Sequence, residues 1–112
     1  MGRHIDDVLL SELRTLMEDD FGVLLETYLE ESARQFALAS RAWDEGDSEA
    51  LWRSAHSLKG GALNIGAFVL SDLFARLESA AYQASSAGGL LDQAGAELSA
   101  VQAEVDNIYR RL

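Results

Sequence analysis

The sequence predicts an all-α protein: an up-and-down antiparallel four-helix bundle with a short additional N-terminal helix, in one domain of residues 1–112. Three observations predict it. Apolar residues recur at helical spacing along nearly the whole chain. The chain has no Pro and only 8% aromatic residues, which favours uninterrupted helices over strands and tight turns. The breaks are few and short, so consecutive long helices must lie side by side and antiparallel.

The first helix is written by Ile5, Val8, Leu9, Leu13, Leu16 and Met17 and ends near Glu18, Asp19 and Asp20. Those acids are suited to cap the second helix and to meet the positive end of its dipole. The second helix carries Phe21, Leu24, Leu25, Tyr28, Leu29, Phe36, Ala39 and Trp43, with Gly46 as its stop and Asp47 as the next N-cap. A third helix over about 48–65 turns Leu51, Ala55, Leu58, Ala62 and Ile65 inward, and Gly66 closes it. The fourth, over about 67–83, has Leu70, Leu73, Phe74, Leu77 and Ala81 on one stripe. Residues 85–89, Ser-Ser-Ala-Gly-Gly, predict a flexible loop. In the last helix Ala94, Leu98, Val101, Val105, Ile108 and Leu112 form the seam of a packed bundle member.

With 112 residues, 48% of them apolar, the chain can hold a core without disulfides or a structural metal. The absence of Cys removes thiol nucleophiles and Cys-based zinc sites together. A formal charge of -10 would be repelled by nucleic acid and by anionic membrane surfaces. No apolar run approaches the ~20 residues of a membrane span, and no leader is visible. A cytoplasmic monomer is expected.

One stretch does not fit a plain bundle. His56 lies on the far side of the third helix from Leu58 and shares its stripe with Trp52, Arg53, Lys59, Gly60 and Leu63, so it should face solvent. Alone, such a His reads as a surface residue. Gly60 and Gly61, however, stand mid-helix, where each costs about 1 kcal/mol relative to Ala. Gly60, one turn beyond His56, leaves the imidazole unshielded on that side. Lys59 is the only lysine in the chain and can reach an anion held on the ring. The plainer reading is that the glycines permit close helix approach and that Lys59 is solubilising charge.

Residues 56–66, His-Ser-Leu-Lys-Gly-Gly-Ala-Leu-Asn-Ile-Gly, resemble the signature of histidine-containing phosphotransfer (HPt) domains, and the resemblance covers the whole chain. It implies that His56 accepts a phosphoryl group from a receiver-domain aspartate, as in a hybrid sensor kinase, and passes it to the aspartate of a response regulator. Lys59 and Gly60 fall on the family's charge-stabilising and space-making positions. The family often has Gln or Glu on the fourth helix, bonded to the ring of the phosphorylated His, and counting along the motif places Glu78 there.

A neutral imidazole attacks phosphorus only through its lone-pair nitrogen, so some group must fix the tautomer. Glu78 lies at the edge of the fourth helix's apolar stripe, where it can lean toward a neighbour; the alternative is a surface ion pair with an Arg. Phosphoryl transfer demands positioning and charge more than covalent machinery. The sequence has no Gly-rich phosphate loop, so a phosphoryl carrier without ATP-dependent kinase activity is expected. It needs no cofactor of its own, and Mg2+ should come with the receiver. Trp52, Arg53, Leu63 and Gly61, together with Leu9 and Leu13 of the over-wide first helix, are candidate docking residues, although Leu9 and Leu13 also suit the core. The competing readings are a helical adaptor that binds a partner without phosphate, and a metal or hydrolytic enzyme, for which two distant His give little basis.

Overall fold

The structure, a computed structural model, describes residues 4–112, with the backbone alone at 84 and 85. Its helices are α1 (Asp7–Met17), α2 (Asp20–Glu45), α3 (Ser48–Asn64), α4 (Phe68–Ala80) and α5 (Ala84–Arg110), and no strand occurs among the described residues. Turns of two or three residues join α2 to α3, α3 to α4 and α4 to α5. Connections that short force antiparallel neighbours. Helix α5 also packs back against α2, which closes the four helices around a core of Phe21, Leu25, Leu51, Leu58, Leu70, Phe74, Leu77, Val101 and Val105.

Local chemistry sets the ends. Asp6 caps α1, its Oδ1 accepting the backbone N–H of Val8 and of Leu9, each at 3.0 Å. Ile5 therefore precedes the helix rather than belonging to it, and is buried. At the start of α2 the expected capping bond is not made: the Asp19 side chain accepts nothing from the first turn, and Asp20 in that turn supplies charge to the dipole instead. Gly46 ends α2 with φ +70, and Asp47 caps α3 by accepting from Ala50 N–H at 3.0 Å.

Gly66 ties α1 to the bundle. It has φ +77, and a Cβ there would lie 2.9 Å from Leu9 Cδ2. Its carbonyl accepts the Asp6 N–H at 2.9 Å. A residue with a side chain would be strained in backbone and blocked in space at once. His4, just before α1, bonds Glu97 of α5 through Nδ1 at 2.7 Å, so the entering chain is held on both sides of the bundle.

The loop expected at 85–89 is helix. Gly88 carries no side chain because Trp43 of α2 occupies the space: a Cβ there would meet Trp43 Cζ2 at 2.8 Å. Gly95 makes the same accommodation for Phe36, 2.9 Å from where its Cβ would be. Gly89 faces open space. The two adjacent glycines therefore predict opposite outcomes. Gly89→Ala should stabilise by about 0.5–1 kcal/mol through helix propensity alone. In Gly88→Ala overpacking against a rigid indole outweighs that gain, for a net loss of about 1–2 kcal/mol. Urea unfolding midpoints of the two variants check this.

Candidate functional site

The solvent face of α3 is brought to chemistry by α4. The turn at 65–67 folds α4 back antiparallel, and the Ser71 hydroxyl fixes the register by donating to the Lys59 carbonyl at 3.3 Å. This places Glu78, two turns further along α4, across from His56. His56 Nδ1 lies 2.9 Å from Glu78 Oε2, and Lys59 Nζ lies 2.7 Å from Glu78 Oε1. The carboxylate is thus shared between an imidazole and an ammonium. Its side chain is only 14% exposed, while that of His56 is 56% exposed.

The charge state follows. The Lys59 ammonium bonded to Glu78 holds the carboxyl below its usual range, outweighing the desolvation that pushes the other way, and the bond to His56 adds to the effect. An ionised carboxylate has no proton to give, so Nδ1 must be the donor, and the lone pair of the neutral ring resides on Nε2. Glu78 therefore selects the tautomer.

Lys59 has a partner that the sequence did not indicate: its ammonium sits on Glu78, on the Nδ1 side of the ring. The pairing was not legible because it joins two helices through the ends of flexible side chains.

The two glycines of α3 separate. A Cβ on Gly60 would meet nothing within 4 Å, so close helix packing does not account for this glycine. A Cβ on Gly61 would sit 3.5 Å from Tyr28 Cε1, an ordinary contact against α2. Gly61 therefore looks into the α2–α3 groove and not onto the His56 face. One residue along a helix is about 100° of rotation, which carries it around the side.

On the N-terminal side of His56 the indole of Trp52 stacks on the imidazole, with ring centroids 5.2 Å apart and planes within 6°. Arg53 pairs with Glu49 at 3.3 Å on the surface, so its charge is already partnered. Leu63 is exposed. Leu9 and Leu13 are half-buried, Leu9 against the α3–α4 turn and Leu13 on the core, while Val8 and Leu16 are the exposed apolar residues of α1. The helical phase of α1 is shifted from the one expected because Leu10, absent from the predicted face, is the residue it buries. Sequence reasoning also passed over Phe68 and Val69, both exposed at the start of α4. The signal was available, since neither falls on that helix's inward stripe.

Among the described residues no group of His, Cys, Asp or Glu is arranged to hold a metal ion, and no helix is long and apolar enough to cross a membrane.

No curated protein matches the sequence. The Hpt domain family matches residues 23–109, which include α3, α4 and every residue of the His56–Glu78–Lys59 cluster. The fold is similar to the crystal structure of histidine-containing phosphotransfer protein B (HptB) from Pseudomonas aeruginosa PAO1, with 32% sequence identity and a TM-score of 0.93. That likeness covers 100% of this chain and 99% of the other. The chain belongs to the Hpt domain family and is a histidine phosphotransfer protein of two-component phosphorelays.

Proposed function

We propose that His56 is the residue that carries the phosphoryl group, and that Nε2 is the atom that bonds it. The observation that carries this reading is the 2.9 Å bond between Nδ1 and Glu78 on a ring that stays more than half exposed. The Nε2 lone pair attacks the phosphorus of a receiver's aspartyl phosphate. The P–O bond breaks as the P–N bond forms, and the electron pair leaves with the aspartate carboxylate. The Nδ1 proton stays where it is, and the positive charge that develops on the ring is stabilised by Glu78. Attack by a receiver aspartate on the phosphoimidazole reverses every step, so the domain is a carrier, with no ATP-dependent kinase activity of its own.

Gly60 provides clearance beside the ring for the phosphoryl oxygens and the donor's surface. Lys59 balances Glu78 before transfer, and its flexible stem lets the ammonium swing to the phosphoryl oxygens once they arrive. Mg2+ comes with the receiver domain, which has the acidic pocket for it. The donor is the receiver domain of a hybrid sensor kinase and the acceptor a response regulator, met by a cytoplasmic monomer with the exposed Leu63 at the contact face.

Incubation with a phosphorylated receiver should leave label on the chain that survives alkali and is lost in acid. Alkali-labile label, or none, would refute the reading. Gly60→Ala should separate stability from transfer: about 1 kcal/mol more stable by urea unfolding, because nothing obstructs the methyl, and roughly three- to tenfold slower in uptake, because the attack geometry is crowded.

A further inference from the structure

We propose that Trp52 is a positioning residue for His56, setting the plane of the imidazole and thereby the line along which Nε2 meets phosphorus. The inference rests on the reading that His56 accepts the phosphoryl group. An imidazole on a helix surface has two side-chain torsions to fix. The bond from Nδ1 to Glu78 restrains where one nitrogen lies but still lets the ring rock about that contact. The Trp52 indole, parallel to the ring within 6°, removes the rocking. A centroid separation of 5.2 Å between near-parallel planes is an offset stack, a favoured aromatic arrangement.

The lone pair of Nε2 lies in the ring plane, so two fixed contacts define its direction. The arrangement is also one-sided. One turn before His56 is a large indole covering one ring face, and one turn after it is Gly60 with open space where a side chain would begin. Phosphorus therefore meets Nε2 in the ring plane, and the bulk of the donor is accommodated over the ring face on the Gly60 side. As the P–N bond forms, the ring gains positive charge against the negative face of the indole, within the reach of a cation–π contact. Trp52 is 37% exposed, so it can serve here without being needed in the core.

This role differs from docking, and kinetics separates the two. Trp52→Leu keeps an apolar side chain for a partner but loses the stack; Trp52→Phe keeps an aromatic face. Two donors are used: a phosphorylated receiver, and phosphoramidate, which needs no docking surface. Positioning predicts that Trp52→Leu lowers the maximal labelling rate about fivefold with both donors and leaves the half-saturating receiver concentration unchanged, while Trp52→Phe stays within about twofold of wild type. The His56 ring protons should show an indole ring-current shift in wild type that Trp52→Leu abolishes. A Trp52→Leu variant that only raises the half-saturating receiver concentration, with phosphoramidate labelling at the wild-type rate, would overturn the proposal and make Trp52 a docking residue. Wild-type protein that takes no label on His56 from either donor would overturn the acceptor reading and this inference with it, a result distinct from the first because it appears before any Trp52 variant is made.

Discussion

Replacing His56 with Gln should abolish uptake of label from a phosphorylated receiver and leave the folded state close to wild-type stability. Loss of function is expected to be complete because nothing else near the site can take the place of Nε2. The Gln amide nitrogen has its lone pair delocalised into the carbonyl, Lys59 is an ammonium held by Glu78, and the neighbouring Ser57 has no base to activate it. Stability is expected to stay within about 0.5–1 kcal/mol, because an exposed ring is removed and Glu78 keeps Lys59 as its partner, so no buried charge is orphaned. His4 is the internal control. Its Nδ1 is held by Glu97 on α5, outside the cluster, and His4→Gln should label as wild type does. Label that persists in His56→Gln would place the acceptor elsewhere. Labelling and urea unfolding on the same preparations distinguish lost chemistry from lost fold.

How much of this was legible in the sequence depended on whether the deciding contact is local. Helices α2, α3 and α4 followed from apolar spacing, and Gly46–Asp47 from turn chemistry, because stop and cap act within a few residues. Gly88 and Gly89 were misread for the complementary reason: a glycine pair prefers to break a helix locally, and only the indole of Trp43, some 45 positions earlier, makes the missing side chain useful. The α1 phase failed in the same way, since Leu10 and not Leu9 is buried once Asp6 and Gly66 fix the approach of the chain. At the site, the stripe of Trp52, His56 and Gly60 follows from one-turn spacing alone. The stacking of the first two follows from it only when the ring planes are known. The carboxylate between Lys59 and His56 came from resemblance to a family motif, and its double engagement from neither source, because it depends on how α4 is set against α3.

That double engagement makes Glu78 the position where conservative and drastic substitutions should differ most after His56 itself. Glu78→Leu removes the acceptor for Nδ1–H, so the ring is free to turn and to exchange tautomers, and the charge formed on attack meets no carboxylate. Uptake should slow by about 10- to 100-fold, the scale of a lost acid–base or orienting partner. Glu78→Gln keeps one oxygen that can accept from Nδ1–H but loses the charge and, because its amide NH2 cannot accept, the bond from Lys59; it should slow by about tenfold or less. A Gln variant as slow as the Leu variant would show that charge matters and orientation does not; equal activity of Gln and wild type would show the reverse. The same group has a thermodynamic signature. Because folding lowers the Glu78 pKa, the folded state binds its proton less readily than the unfolded chain does, and the resulting stabilisation is fully present above the ordinary carboxylate range. It is lost as pH falls through that range and then through the lower folded-state value. Urea midpoints measured from neutral pH into acid should therefore fall less steeply in Glu78→Gln than in wild type, and identical slopes would mean that the Lys59–Glu78–His56 cluster contributes nothing to stability in solution.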